Sequence, residues 1–156
     1  METENRPLVA IGYWKDESGD GLPHPSSFLG QEWSPSIKSK VLEYLRSGVR
    51  VNEQLGYSWC RLDASIEDCE MGCAEKTDGK YIWPEGLEVY VDKFDLYLPE
   101  EFLNYMESRG FRIRKEEINK DAFYPWTDEF WKNWALQRKP SLSKRIMSKF
   151  GFKAKD

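Results

Sequence analysis

Two segments fifteen positions apart constrain this chain more than any other feature. The first runs Pro84, Glu85, Leu87, Tyr90, Val91, and the second runs Pro99, Glu100, Phe102, Tyr105, Met106. Each opens with a proline, whose missing N–H is no loss in a first helical turn. Each then sets a glutamate near the positive helix end and spaces apolar residues three and four apart. The pattern predicts two helices in succession, the second closed by Gly110 in a left-handed conformation. The pair organises architecture and carries no chemistry of its own.

At 156 residues the chain fits one domain with a real hydrophobic core. Aromatic residues make up 15 % of it, a supply of large apolar area for a core or of anchors for an interface. No apolar run approaches the ~18 residues of a membrane span. The start, Met-Glu-Thr-Glu-Asn-Arg, has acids where a secretory signal needs bases, so a cytoplasmic location is expected.

Three cysteines, an odd number, argue against a disulfide framework. Cys60, Cys69 and Cys73 contain no Cys-x-x-Cys pair, and His24, the single histidine, sits far off between two prolines. Those four do not make the paired ligand spacing of a structural zinc site. No metal and no cofactor is expected, and the cysteines read as reduced thiols. His24 reads as a surface residue without a role.

In chain order, Leu8 to Trp14 predicts a buried strand, and Asp16 to Ser27 a loop. A helix follows, capped by Ser34 or Ser36, with Pro35 at its start, Ile37, Val41, Tyr44 and Leu45 on one face, and Gly48 at its end. Val49–Val51 and Tyr57–Leu62 read as strands joined through 52–56, a candidate hairpin. Thr77-Asp78-Gly79 predicts a tight turn into a strand over Lys80–Trp83. Phe111–Arg114 alternates apolar and basic like a half-exposed strand. Thr127 caps a last helix with Phe130, Trp131, Trp134 and Ala135 on one face; the Trp126, Trp131, Trp134 group reads as core. The fold class is α+β: one domain, a small mostly antiparallel sheet packed with about four helices.

Charge is unevenly spread. Residues 138–156 hold seven Lys/Arg against one acid, a net +6; the other 137 residues hold 16 against 26, a net −10. The division is an acidic domain over 1–138 and a basic tail over 139–156. In the tail Leu142, Ile146 and Phe150 fall four apart beside Lys144, Arg145 and Lys149, a short basic amphipathic helix that needs a surface to lie on. Its own domain, a nucleic acid and an anionic membrane are the alternatives. Asp63, Glu67, Asp68, Glu70, Glu75 and Asp78 make 63–78 the most acidic stretch, read either as a solvated loop or as a negative face that steers a basic partner. The spacing is not that of a calcium loop.

The chain has no phosphate-cradling Gly-rich loop, dinucleotide fingerprint or Gly-x-Ser-x-Gly elbow, and no catalytic residue is singled out. Trp59-Cys60-Arg61, then Thr77-Asp-Gly-Lys-Tyr-Ile-Trp-Pro-Glu-Gly-Leu, then Leu98-Pro-Glu-Glu-Phe resembles a group of small uncharacterised bacterial proteins, over about a third of the chain. The resemblance implies an immunity partner of a bacterial toxin and carries over no catalytic residues. The expected function is therefore that of an interaction protein, an immunity-type inhibitor that occludes a basic toxin enzyme. The alternatives are a small enzyme using carboxylates with His24 or a cysteine, and an adaptor acting on nucleic acid or membrane through the tail.

Overall fold

The computed structural model describes residues 6–16 and 21–138. Strand β1 (Leu8–Ala10) is followed by a 3-10 turn at Pro25–Phe28, helix α1 (Pro35–Ser47) and strand β2 (Val49–Val51). Then come the short helix α2 (Asp68–Met71), strands β3 (Glu75–Thr77) and β4 (Tyr81–Pro84), helices α3 (Leu87–Phe94) and α4 (Glu100–Ser108), strand β5 (Trp126–Thr127) and helix α5 (Glu129–Gln137). The strands form one sheet in the order β2-β3-β4-β1-β5. The β2–β3 and β3–β4 pairs are antiparallel, and β4–β1 and β1–β5 are parallel. The fold is α+β, in one domain.

Alternation along the strands sorts two cores. Tyr81 and Trp83 of β4 point to the side where α1, α3, α4 and α5 pack, joining Tyr44, Leu87, Phe102, Met106 and Trp131. Ile82 between them joins Leu8, Ala10 and Val51 in a smaller cluster, against which Tyr13, Tyr124 and Trp126 lie. Aromatic edges and faces fill the larger core: Trp83 lies 5.5 Å from Phe102 and 6.1 Å from Tyr44, centre to centre. The Trp83 indole N–H also reaches the Leu45 carbonyl at 3.3 Å, fixing α1 to the sheet.

α1 forms as its sequence predicts. The Ser34 hydroxyl accepts from the Ile37 N–H at 3.3 Å, Pro35 opens the helix and Gly48 follows its last residue. Val41, Tyr44 and Leu45 are buried with Leu42, while Ile37 is exposed. α4 also starts as expected, with Pro99 as its cap residue and Glu100 and Glu101 in its first turn. Gly110, at φ +64°, completes its end: the N–H groups of Gly110 and Phe111 bond the carbonyls of Glu107 and Met106, both at 2.9 Å.

Four expectations are corrected. Pro84 does not start a helix; it is the last residue of β4, opposite Glu75, and α3 begins at Leu87. Glu85 accordingly serves no helix dipole, its carboxylate accepting from the Ala74 N–H at 2.9 Å and from Arg50 at 2.8 Å. Tyr57–Leu62 is not a strand, and β2 pairs with β3 in place of the expected hairpin. Phe111–Arg114 is irregular, because Phe111 itself takes a left-handed φ of +57°. The tail expectation, with Leu142, Ile146 and Phe150, lies outside the described residues. Among those residues no helix is long and apolar enough to cross a membrane.

Candidate functional site

A cavity of about 670 Å³ opens where β1, β2 and β4 end and β3 begins. Gly12, Tyr13 and Trp14 follow β1, Gln54 to Ser58 come after β2, Pro84 ends β4, and Gly72 to Glu75 lead into β3. The space outside the carboxyl ends of parallel strands, here β1 and β4, is where open sheets with helices commonly hold ligands. The volume falls inside the range of small-molecule sites, about 300–1,000 Å³, and the walls are of their kind, aromatic with a few polar groups.

Gly12 makes the bend that forms one wall. Its φ is +82°, and a Cβ there would lie 2.6 Å from Leu87 Cδ1. The chain turns so that Tyr13 stacks on Trp126, ring centres 4.3 Å apart, and its carbonyl accepts the Trp131 indole N–H at 2.7 Å.

Glu75 is the carboxylate of the cavity. It is only 9 % exposed, on β3, and its two oxygens accept from Tyr13 Oη and, at 3.0 Å, from Asn52 Nδ2. Burial raises its pKa to about 7, the Trp126 side chain opposing this with a hydrogen bond. Asn52 holds the neighbouring wall as well: its Nδ2 donates to the Tyr124 carbonyl at 2.7 Å and its Oδ1 accepts from the Tyr124 N–H at 2.8 Å. It does so from a left-handed φ of +51°, which asparagine tolerates better than most residues.

Arg61 also lines the cavity. Its guanidinium lies 4.2 Å from the centre of the Trp59 ring, and Nη1 donates to the Trp59 carbonyl at 3.3 Å and to Ser58 Oγ at 3.4 Å. Its Nε is buried and meets no acceptor among the described residues.

At the mouth, Tyr57 and Phe123 are 60 % and 74 % exposed, and Leu55 and Trp59 stand exposed beside Tyr57 in the chain. Met71 of α2 lines the cavity too, so the acidic helix adjoins it.

The six acidic residues singled out in the sequence do not form one face. Glu67, Asp68 and Glu70 are exposed on and before α2, and Glu70 approaches Lys93 at 3.7 Å. Asp63 precedes them, its Oδ1 accepting from the Ser65 N–H and hydroxyl at 2.9 and 2.6 Å, bonds that hold its pKa below the usual carboxylate range. Glu75 is turned into the cavity. Asp78 is built into the β3–β4 turn, accepting from the Lys80 and Tyr81 N–H groups at 2.9 and 2.7 Å and from the Tyr44 hydroxyl at 2.5 Å. Burial pushes its pKa up.

His24 is exposed and bonds locally, Nδ1 lying 2.7 Å from Ser26 Oγ and accepting from the Ser26 N–H at 3.2 Å. Burial, then Arg61 and Lys15, lower its pKa. The cysteines are free: Cys60 buried, Cys69 exposed, and Cys73 half-buried on the cavity wall within 3.3 Å of Arg50 Nη2. Among the described residues no three His, Cys, Asp or Glu are grouped to hold a metal.

Tyr13, Tyr57, Arg61, Phe123 and Trp126 on the cavity wall, and Asn52 behind Glu75, are among the residues that sequence reasoning did not single out as site residues. Only the Gly12-Tyr13-Trp14 run, a glycine before two aromatics, offered a local signal. The protein-family models, the curated proteins and the solved structures contain no match to this chain.

Proposed function

We propose that this protein works by binding, and that its working site is the aromatic mouth of the Glu75 cavity. A protein partner seats there. The observation that carries this reading is the exposure of Tyr57 and Phe123 on the cavity wall, with Leu55 and Trp59 exposed on either side of Tyr57 in the chain. Large apolar side chains grouped in water mark interaction sites, and aromatic anchors beside a pocket dominate such contacts. Glu67, Asp68 and Glu70, on and just before the adjoining helix, give the partner-facing surface a negative border, so the partner offers a basic patch. An immunity-type inhibitor that occludes the basic cleft of a toxin enzyme is the specific form of this reading.

The test is affinity capture from the native cell with the whole chain as bait. The triple variant Glu67→Lys, Asp68→Lys, Glu70→Lys serves as comparison. A basic protein retained by the unaltered chain, and retained less by the variant at low salt, supports the reading. Equal retention by both removes the acidic border from it. A second reading, an enzyme of unassigned reaction, is favoured by one observation, a carboxyl with a pKa of about 7 inside a cavity. Its acid–base group would be Glu75, not His24.

A further inference from the structure

A carboxyl group and a guanidinium line one cavity, and neither has an ion-pair partner among the described residues. Glu75 meets no lysine or arginine and Arg61 meets no carboxylate among the described residues. An ionisable group buried without a counter-charge is costly to charge, so a cation beside buried Glu75 and an anion beside half-buried Arg61 would each supply a counter-charge that the fold does not. Glu75 still has capacity. A carboxylate accepts about four hydrogen bonds, and Tyr13 and Asn52 supply two. Arg61 has a definite deficit, the buried Nε with no acceptor.

Beside Gln54, Ser58 and Cys73, the rest of the cavity wall is largely aromatic. Tyr13, Trp14, Tyr57, Tyr90, Phe123 and Trp126 surround it. Aromatic faces next to a carboxylate favour an organic ammonium, since the ring quadrupole and the negative charge act in the same direction. The same faces favour an apolar body. Volume decides between a single side chain and a molecule: 670 Å³ is room for about 20 waters at the liquid's ~30 Å³ each, far more than one lysine head fills.

We propose that the cavity binds a small zwitterion with an apolar body, of the amino-acid and short-peptide class. Its ammonium sits at Glu75, its carboxylate at Arg61 and its side chains against the aromatic walls. The inference rests on the cavity being the working site, and it is separable from the seating of a protein partner on the mouth.

The experiment titrates the whole chain with four probes: free L-phenylalanine, L-phenylalanyl-L-phenylalanine, phenethylamine (ammonium only) and 3-phenylpropionate (carboxylate only). The indole N–H signals of Trp14 and Trp126 are followed by NMR. At least one zwitterion shifts both signals saturably and binds about tenfold or more tightly than either half-molecule, the difference expected from one charge-assisted hydrogen bond. The free amino acid against the dipeptide tells which length spans the two charges. Glu75→Gln weakens the zwitterion and phenethylamine together by about tenfold and leaves 3-phenylpropionate unchanged; Arg61→Lys, which keeps the charge and loses the planar fork, weakens the zwitterion and 3-phenylpropionate. Silent indole signals with all four probes, or a half-molecule that binds as tightly as both zwitterions, overturns the proposal. The probe series uses the unaltered chain, so a folding defect in a variant does not affect it. Capture of a basic partner together with silent probes overturns this inference alone.

Discussion

Tyr13 gives its phenolic hydrogen to Glu75, 62 residues further along the chain. The bond joins the loop after β1 to the first residue of β3, across a cavity that both residues line. It places a buried acid next to a stacked Tyr13–Trp126 pair and links β1 to β3, the two strands on either side of the central β4. Three consequences for stability follow from the geometry around it.

The first concerns pH. Folded Glu75 holds its proton up to about pH 7, whereas an unfolded glutamate releases it near 4.5. The folded state therefore binds more protons in that window, and this contribution to stability is full below pH 4.5 and lost as pH rises through about 7. Glutamine imitates the neutral acid. Thermal unfolding between pH 5 and 8 is expected to show the unaltered chain losing stability that Glu75→Gln retains. Parallel curves for the two would contradict the assignment. Asp78, also raised by burial, changes in the same direction in both proteins and cancels in the comparison.

The second concerns Asn52. Its amide makes both hydrogen bonds to the Tyr124 backbone and one to Glu75. Asn52→Ala removes all three and leaves a non-glycine residue at φ +51°. At about 1 kcal/mol per net hydrogen bond, with some backbone strain, the loss is about 3–4 kcal/mol by denaturant unfolding. Asn52→Gly removes the same bonds without that strain and is expected to lose less. A loss below about 1 kcal/mol for Asn52→Ala would mean that the wall at Tyr124 is held by other contacts.

The third concerns Gly12. A methyl group there meets Leu87 Cδ1 at 2.6 Å in a backbone conformation that favours glycine, φ +82°. Gly12→Ala is expected to cost about 1–3 kcal/mol. The cavity wall is displaced with it, seen as a change in the fluorescence of Trp14 and Trp126. Unchanged stability would show that the turn is not constrained.

What the sequence made legible was local. α1 could be read because the Ser34 cap, Pro35, the buried Val41, Tyr44 and Leu45, and Gly48 all lie within one helix length. The end of α4 at Gly110 was equally self-contained. The strand pairing was not legible, since Val51 meets Glu75, 24 residues away, and nothing in 57–62 rules out the nearer hairpin. Pro84 misled because a proline that opens a helix and one that ends a strand have the same chemistry nearby, and only the β3 partner distinguishes them. The site was hidden for the same reason. In the sequence Glu75 is one acid among six in a charged stretch; its burial comes from Tyr13, Asn52 and Trp126, which arrive from three other parts of the chain. The acidic stretch was thus visible as composition, and its division into exposed Glu67, Asp68 and Glu70, buried Glu75 and turn-forming Asp78 was not.

The central claim is that the mouth of the Glu75 cavity is the binding surface, and removing its two exposed rings tests it most directly. Capture is compared among the unaltered chain, the double variant Tyr57→Ala, Phe123→Ala, and Leu136→Ala, which trims an exposed apolar residue that does not line the cavity. All three are expected to unfold at nearly the same temperature, because these side chains are largely in water. The account predicts that partner retained by the unaltered chain is also retained by Leu136→Ala and lost from the double variant. Retention by the double variant at the level of the unaltered chain would contradict it.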